Sequence, residues 1–173
     1  MKPPLAKGRP DDFQTPPIAL KPLYPYLPQN WTIWDPAAGK RNLVNELAHR
    51  KYNVIGTDVI DKPAHDFLDG EPGIKWDCII TNPPFSLKQP FLERCYRLGK
   101  PFALLLPLTT FETAKRQKLF KENGLEVILF DKRVNFETPN NVANSSSWFA
   151  TAWFTHGLGV GQQLSFEQLQ SDN

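Results

Sequence analysis

Apolar residues along the chain form two alternating kinds of segment, continuous blocks and stretches with a helical repeat. The continuous blocks predict buried strands at 31–34, 53–57, 76–81, 102–106 and 125–130. The helical repeats predict helices around 43–48 and 91–96. A third helix is predicted to open with the capping pair Thr109 and Glu112 and to end near Gly124. Because apolar strands alternate with helices, the pattern indicates an α/β fold with a mostly parallel sheet covered on both faces.

The two ends of the chain depart from this alternation. Residues 134–136 and 148–155 have the pattern of β segments with no helix between them, which predicts an antiparallel hairpin at the sheet edge. Eight of the 17 prolines lie within the first thirty residues, so this part is predicted to be extended, with a turn or two of helix capped by Thr15. The chain is thus divided into three parts: a proline-rich N-terminal segment at 1–30, an α/β domain at 31–156 and a polar, frayed tail at 157–173.

Composition narrows the class of protein. With 173 residues, 40% apolar and 22% charged, the chain has the size of one domain and enough apolar residues for a core. No stretch reaches the roughly eighteen apolar residues of a membrane span, and the first residues are no apolar leader, so we expect a cytoplasmic protein of a bacterium or phage-infected cell without a membrane partner. Cys78 and Cys95 are expected to stay reduced in the core, and no spacing of His or Cys indicates a metal site.

Basic residues are unevenly distributed, although the net charge is only +2. They cluster at Lys115, Arg116, Lys118 and Lys121, and none occurs from Gly157 onward. A cluster of this kind forms either a solvated helix face or a contact with the phosphates of a nucleic acid. The sequence leaves both interpretations open.

Three polar residues directly follow predicted strands: Asp35, Asp58 and Asn82. In an open parallel sheet, ligands bind at the carboxyl ends of the strands near the switch point. The small residues 36–39 after Asp35 allow close approach of a ligand to the backbone, and the Asp58 carboxylate suits the two hydroxyls of a ribose. A nicotinamide dinucleotide site explains these two features equally well, and a plain tight turn explains residues 36–39 about as well.

The motif Asn82-Pro83-Pro84-Phe85 distinguishes among these alternatives. An amine on an aromatic base is a poor nucleophile because its lone pair is delocalised into the ring. The Asn82 side-chain oxygen and a neighbouring backbone carbonyl, held rigid by the two prolines, can each accept one N–H bond and aim the lone pair at a methyl donor. The aromatic ring of Phe85 can stack on a base taken out of its helix. The motif therefore indicates methylation of a conjugated amine.

In their order, these motifs resemble the S-adenosylmethionine-dependent DNA adenine-N6 methyltransferases, in particular small phage-encoded members. Residues 35–39 are similar to the D-P-x-x-G cofactor loop, 82–85 to the N-P-P-[YF] motif and 13–16 to the F-x-T-P element. The resemblance implies a Rossmann-like class I methyltransferase fold with S-adenosylmethionine as cofactor. Cofactor contacts are then expected from Phe13, Thr15, Asp35, Pro36, Ala37, Gly39, Asp58, Asp66 and Phe67. Catalytic roles are expected for Asn82, Pro83, Pro84 and Phe85, and substrate contacts for Phe85, Phe136, Lys115, Arg116 and Lys118.

Some residues leave alternatives open. Arg41 stands where the family often has a second glycine, and its long side chain either crowds the cofactor or reaches the cofactor carboxylate. The alternative role for Phe13 is to fill an apolar gap. The alternative role for Asp66 is that of a turn residue. Trp148, Trp153 and Phe154 are expected in the sheet core.

The leading hypothesis is methyl transfer to the N6 amine of adenine in DNA, either duplex or single-stranded. The alternatives are the same chemistry on RNA adenine or on a protein glutamine amide, and a catalytically degenerate protein that binds cofactor or nucleic acid. The chain has no length for the separate recognition region of larger family members. We therefore expect a short or relaxed target sequence, with contacts from the proline-rich N-terminus, the basic helix or the loop 138–147. Where a longer site is read, we expect recognition by a partner or a homodimer.

Overall fold

The computed structural model describes residues 13–136 and 149–169, and all structural statements below concern these two segments. Their strands are β1 (Thr32–Asp35), β2 (Asn53–Gly56), β3 (Cys78–Thr81), β4 (Phe102–Pro107), β5 (Glu126–Phe130), β6 (Thr151–His156) and β7 (Leu164–Glu167). Their α-helices are α1 (Asn42–His49), α2 (Lys88–Leu98) and α3 (Ala114–Asn123), and 3-10 helices span Pro17–Tyr26, Phe85–Leu87 and Leu108–Glu112. None of these helices is long and apolar enough to cross a membrane.

The strands form one sheet in the order β2-β1-β3-β4-β6-β5-β7. Strands β2, β1, β3 and β4 are parallel to one another, and β6 runs antiparallel to both β4 and β5. The chain moves from β1 to β2 on one side and later to β3 on the other, so the topological switch point lies between β1 and β3. This confirms the predicted mostly parallel α/β sheet with an antiparallel part.

The antiparallel hairpin has different members from those predicted. The partner of β6 in the hairpin is β5, and residues 134–136 are not a strand. Strand β6 lies inside the sheet, between β4 and β5, and this explains why its residues up to Thr155 are all buried. Val134 is apolar because it packs into the core from a loop, with 1% of its surface exposed.

The sequence analysis missed the edge strand β7. It lies within the predicted polar tail and pairs in parallel with β5. Its buried residue, Ser165, is polar, whereas Leu164 and Phe166 are exposed. A short strand with this inverted pattern lacks the apolar signal that revealed the others.

The proline-rich N-terminal segment is part of the core. Its 3-10 helix is longer than predicted and begins after Pro16, with no side-chain cap from Thr15. Ala19, Leu20 and Leu23 are completely buried against the sheet. The indole Nε1 of Trp153 donates to the Ala19 carbonyl at 2.7 Å. Burial of these apolar side chains and this bond hold the helix on the sheet despite its internal prolines.

The helix after β4 begins later than the capping pair predicted. Thr109 and Glu112 lie in a 3-10 helix, and α3 is capped by Thr113, whose hydroxyl accepts the Arg116 N–H at 3.4 Å. The predicted end at Gly124 is confirmed, since this glycine follows α3 with a φ of 84°. The extra turn ahead of α3 lies at the carboxyl end of β4.

The sheet separates two apolar layers. The first layer joins the N-terminal 3-10 helix and α1 to one sheet face, with Ile33, Leu105 and Trp153 at its centre. The second joins α2, α3 and the loop around Phe67 to the other face, which carries Trp34 and Phe154. The alternate direction of strand side chains distributes neighbouring residues to the two layers.

Candidate active site

The switch point brings the predicted strand-end residues to one edge of the sheet. Asp35 ends β1, which pairs directly with β2 on one side and β3 on the other. Asp58 follows β2, and Asn82 follows β3. The three polar residues therefore surround the crevice where ligands bind in sheets of this topology.

Asp35 forms the buried centre of the site. Only 1% of its surface is exposed, and its Oδ1 accepts the Thr81 hydroxyl at 2.6 Å and the Ala37 N–H at 3.3 Å. Burial raises the pKa of this carboxyl to about 7, although both hydrogen bonds act to lower it. Asp35 thus connects the loop after β1 to the residue immediately before Asn82.

The loop at 36–39 is bound to the end of β2. The Ala38 N–H donates to the Thr57 carbonyl at 3.1 Å, and the Gly39 N–H donates to Asp58 Oδ2 at 2.8 Å. The other oxygen of Asp58 accepts the Ile60 N–H at 3.1 Å. Each carboxylate oxygen keeps a further acceptor position, so a ribose diol fits this half-buried group.

Arg41 has protein partners at the same end of β2. Its Nη1 donates to the Gly56 carbonyl at 3.1 Å, and its Nη2 contacts both carboxylate oxygens of Asp61 at 3.2 Å. Asp61 Oδ2 also accepts the Asp58 N–H at 2.8 Å. The extra side chain at this position therefore supports the loop that carries Asp58.

Asn82 presents an acceptor atom without a partner. Its Nδ2 donates to the backbone carbonyl of Phe13 at 2.9 Å. Its Oδ1 is buried and has no hydrogen bond in the described segments. Buried polar atoms are normally satisfied, so this oxygen is available to accept a hydrogen bond from a ligand. The motif thus offers the acceptor that its predicted chemistry requires.

Four phenylalanine rings cover this part of the crevice. Phe13 stacks on Phe85 with centroids 5.5 Å apart, and Phe136 stacks on Phe149 at 5.8 Å. The pairs contact each other, with Phe13 and Phe149 at 5.4 Å. The structure thus brings Phe13, Phe85 and Phe136 into one cluster with Phe149.

Phe149 is the site residue that the sequence analysis missed. Strand β6 is antiparallel to β4, so its first residue, Thr151, pairs with Pro107 at the carboxyl end of β4. A residue that precedes β6 therefore lies at the ligand edge. An aromatic residue ahead of an antiparallel strand was the available signal. Trp148 and the loop 138–147 lie outside the described residues.

Asp66 and Phe67 have structural roles in the described contacts. Asp66 is exposed, and its Oδ1 accepts the Leu68 N–H at 2.9 Å, as in a turn. Phe67 is 1% exposed and packs between Trp34 and Phe91, with centroids 5.3 and 4.6 Å away. These contacts favour the turn interpretation of Asp66 and give Phe67 a place in the core rather than in a ligand pocket.

The predicted substrate contacts on helix α3 differ in their exposure to solvent. Arg116 is 8% exposed, and its Nε donates to the Thr110 carbonyl, so this guanidinium serves the fold and not the surface. Lys115 and Lys118 are exposed and lie 2.7 and 3.7 Å from Glu93 and Glu122. Exposed ion pairs of this kind are weak and leave the lysines accessible to phosphates.

The cysteines are free thiols inside the core. Cys78 and Cys95 are both buried, and burial raises the pKa of each thiol, so both are protonated and unreactive at neutral pH. In the segments that the structure describes, no group of three His, Cys, Asp or Glu side chains has the arrangement of a metal site.

Comparison with known proteins shows the fold. No protein-family model matches the chain, and no curated protein matches it. A predicted O-methyltransferase from Agrobacterium tumefaciens superimposes with a TM-score of 0.56 and 14% identity, over 88% of this chain and 85% of that one. A dimethyladenosine transferase from Plasmodium falciparum superimposes with a TM-score of 0.52 and 12% identity, over 83% of this chain and 62% of that one. The chain therefore has the Rossmann-like fold of these methyltransferases.

Proposed function

We propose that this protein transfers a methyl group from S-adenosylmethionine to the N6 amine of adenine in DNA. The observation that carries the proposal is the Asn82 side chain, whose Oδ1 is buried and unpartnered while its Nδ2 is bonded to the Phe13 carbonyl. The type of reaction is supported by the two solved structures of similar fold, which are described as methyltransferases.

On the acceptor side, Asn82 Oδ1 accepts one N–H of the amine, and the Pro83 carbonyl accepts the other. The two bonds draw the nitrogen lone pair out of conjugation and direct it toward the methyl donor. The base stacks on the Phe85 ring in the aromatic cluster. There it takes the place of the Phe13 ring, which stacks on Phe85 in the structure. A conjugated amine on a flat ring is the acceptor that uses all of these groups.

On the donor side, the residues present fit the proposed cofactor. The cofactor supplies a methyl group bonded to a positively charged sulfur. Asp58 offers free acceptor positions to the ribose hydroxyls, and the small loop at 36–39 leaves the backbone accessible. The buried Asp35 lies at the switch point between these groups and Asn82. Its carboxylate holds the loop in place through the Ala37 N–H.

The phosphates of the nucleic acid are proposed to bind the exposed lysines of α3. Lys115 and Lys118 are 70% and 75% exposed, whereas Arg116 is buried and is excluded from this role. Contacts of this kind carry no base information, so a short or relaxed target sequence is expected. A recognition partner or a second copy of the chain is proposed for any longer site.

The test offers cofactor labelled in its methyl group to duplex DNA, single-stranded DNA, RNA and bulk protein in parallel, with wild type and Asn82→Ala. Label in N6-methyladenine of DNA, lost in the variant, is the expected result. Label found only in RNA adenine, or only in glutamine amides, identifies that group as the methyl acceptor in place of DNA adenine. Failure of the wild type to bind cofactor in a calorimetric titration overturns the donor assignment and favours the degenerate protein.

Mapping the methylated positions on a mixed-sequence plasmid tests the expected specificity. Marks scattered over adenines in short contexts support the proposal. Confinement of the mark to one duplex motif of about five or more base pairs contradicts it, because the proposed phosphate contacts and single stacked base carry no information about such a motif.

A further inference from the structure

Residues 13–15 form a strap that touches both halves of the site. At one end, the Phe13 carbonyl accepts Asn82 Nδ2 at 2.9 Å. At the other, the Thr15 carbonyl accepts Asn42 Nδ2 at 3.3 Å, at the first residue of α1. Between them, Gln14 Oε1 accepts the Lys40 N–H at 2.9 Å. This strap thus joins the loop after β1 to the catalytic motif after β3.

The hydrogen bond between the strap and Asn82 determines which atom of the Asn82 amide faces the substrate amine. A backbone carbonyl accepts hydrogen bonds and donates none, so it selects the NH₂ group of the asparagine. The oxygen must then point the other way, and Oδ1 is the atom without a partner. If the amide were reversed, its NH₂ would face the incoming amine, and two donors would oppose each other. The position of the Phe13 carbonyl therefore matters for catalysis.

Gln14 is the strap residue in closest contact with the cofactor loop. Gly39 has a φ of 50°, and a Cβ added there would lie 2.8 Å from Gln14 Oε1. The carboxamide of Gln14 therefore lies directly on the glycine backbone while it accepts the next N–H. In so close a contact, a shift of the loop moves Gln14 with it.

We infer that Gln14 is a positioning residue that couples the cofactor loop at Gly39 and Lys40 to the orientation of the Asn82 amide through the strap. The inference rests on the proposed function, because it gives Asn82 the acceptor role. It assigns the strap a task beyond the cofactor contacts expected of Phe13 and Thr15. Binding at the loop fixes the position of Gln14, and Gln14 fixes the position of the neighbouring Phe13 carbonyl. That carbonyl then fixes the orientation of the Asn82 amide.

Three variants test the coupling. Gln14→Met keeps the length of the side chain and removes its acceptor oxygen, and Gln14→Glu restores an acceptor. Gln29→Met makes the same exchange at an exposed glutamine, whose amide bonds the Arg50 carbonyl. Gln14→Met is expected to lower kcat at saturating cofactor by about tenfold, with Gln14→Glu regaining most of the loss and Gln29→Met equal to wild type. A rise in the cofactor KM with unchanged kcat overturns the coupling.

A spectroscopic readout separates this inference from the proposed function. The side-chain amide signals of Asn82 are assigned in a proton–nitrogen NMR spectrum by their loss in Asn82→Ala. We expect these signals to shift in unliganded Gln14→Met and to stay in place in Gln29→Met. Unchanged Asn82 signals in Gln14→Met refute the coupling whatever the activity. If the signals shift but the wild type methylates nothing, the strap contact stands and the proposed function fails.

Discussion

The Thr81 hydroxyl donates to Asp35 Oδ1 at 2.6 Å, across the switch point between β3 and β1. Thr81 is the residue before Asn82, and the same oxygen of Asp35 accepts the N–H of Ala37 in the loop 36–39. A second connection between these two parts of the site thus lies beneath the strap. Because both residues are buried, the bond lies in a medium of low dielectric, where it is stronger than at the surface.

Ionisation of Asp35 should make stability depend on pH. Its folded pKa of about 7 exceeds the ordinary value of 3.8, so the folded protein keeps a proton that the unfolded chain releases. Stability from this group is therefore full below about pH 4 and is lost as the pH rises toward 7, at no more than about 1.4 kcal/mol per pH unit. Urea unfolding of wild type and Asp35→Asn across this range measures the difference, and parallel curves for the two proteins would refute it.

Removal of the Asn82 amide should affect turnover and leave cofactor binding intact. In Asn82→Ala we expect kcat to fall by about a hundredfold or more, because one of the two acceptors that direct the amine is lost. The cofactor Kd should stay within about threefold of wild type, since Asn82 faces the acceptor. Asn123→Ala removes an exposed amide that bonds the Leu119 carbonyl, and it serves as the control. Wild-type kcat in Asn82→Ala would contradict the catalytic assignment.

Loss of the Phe85 ring should weaken capture of the base. Stacking of one base on an aromatic ring contributes about 1–3 kcal/mol, so Phe85→Ala should raise the KM for the nucleic acid about tenfold or more. Phe85→Tyr keeps the ring and should remain near wild type. Phe166 on β7 is 77% exposed at the far edge of the sheet, and Phe166→Ala is the matched control. Equal KM values in Phe85→Ala and Phe166→Ala would rule out the stacking role.

Asp58 should determine cofactor affinity. In Asp58→Ala the ribose loses its acceptor, and the N–H groups of Gly39 and Ile60 lose theirs. We expect the cofactor Kd, measured by calorimetry, to rise about tenfold or more. Asp69→Ala removes an exposed carboxylate from the nearby turn as a control. An unchanged Kd in a folded Asp58→Ala protein would exclude the carboxylate as a ligand.

Arg116 and Lys118 should respond differently to the same substitution. Arg116→Met leaves the Thr110 carbonyl without its buried donor, and it should lower the free energy of unfolding by about 1–3 kcal/mol. Lys118→Met removes a side chain that is 75% exposed, and it should leave stability unchanged within about 0.5 kcal/mol. Denaturant unfolding measures both, and an Arg116→Met protein as stable as wild type would show that the guanidinium is not structural.

The sequence predicted the centre of the parallel sheet well because β3 and β4 are buried along their whole length. In β4 every residue is apolar, so a run of hydrophobic letters is a sufficient signal. The same signal cannot say which neighbour a strand pairs with. Strand β6 was therefore predicted at an edge with 134–136, although it lies between β4 and β5.

The candidate site was predictable to the extent that its residues are close in sequence to a strand end. Asp35, Asp58 and Asn82 could be named because each follows an apolar run, and parallel strands end at one edge. Phe149 required the antiparallel direction of β6 to be recognised first. The bond from Asn82 to Phe13 could not be predicted, because it joins residues 69 positions apart in the chain. No local pattern of residues records such a contact.

Local sequence alone determined the strand–helix alternation, the polar groups at the strand ends and the chemistry that Asn82-Pro83-Pro84-Phe85 can perform. Each of these follows from neighbouring residues, through apolar periodicity or through the bonding capacity of a side chain. Only the tertiary structure decided that Arg116 is buried while Lys118 is exposed, that Phe67 belongs to the core, and that the Asn82 amide bonds the Phe13 carbonyl. These outcomes depend on which distant surfaces meet when the layers pack, because burial and partnership belong to the packed structure and not to a single position in the chain.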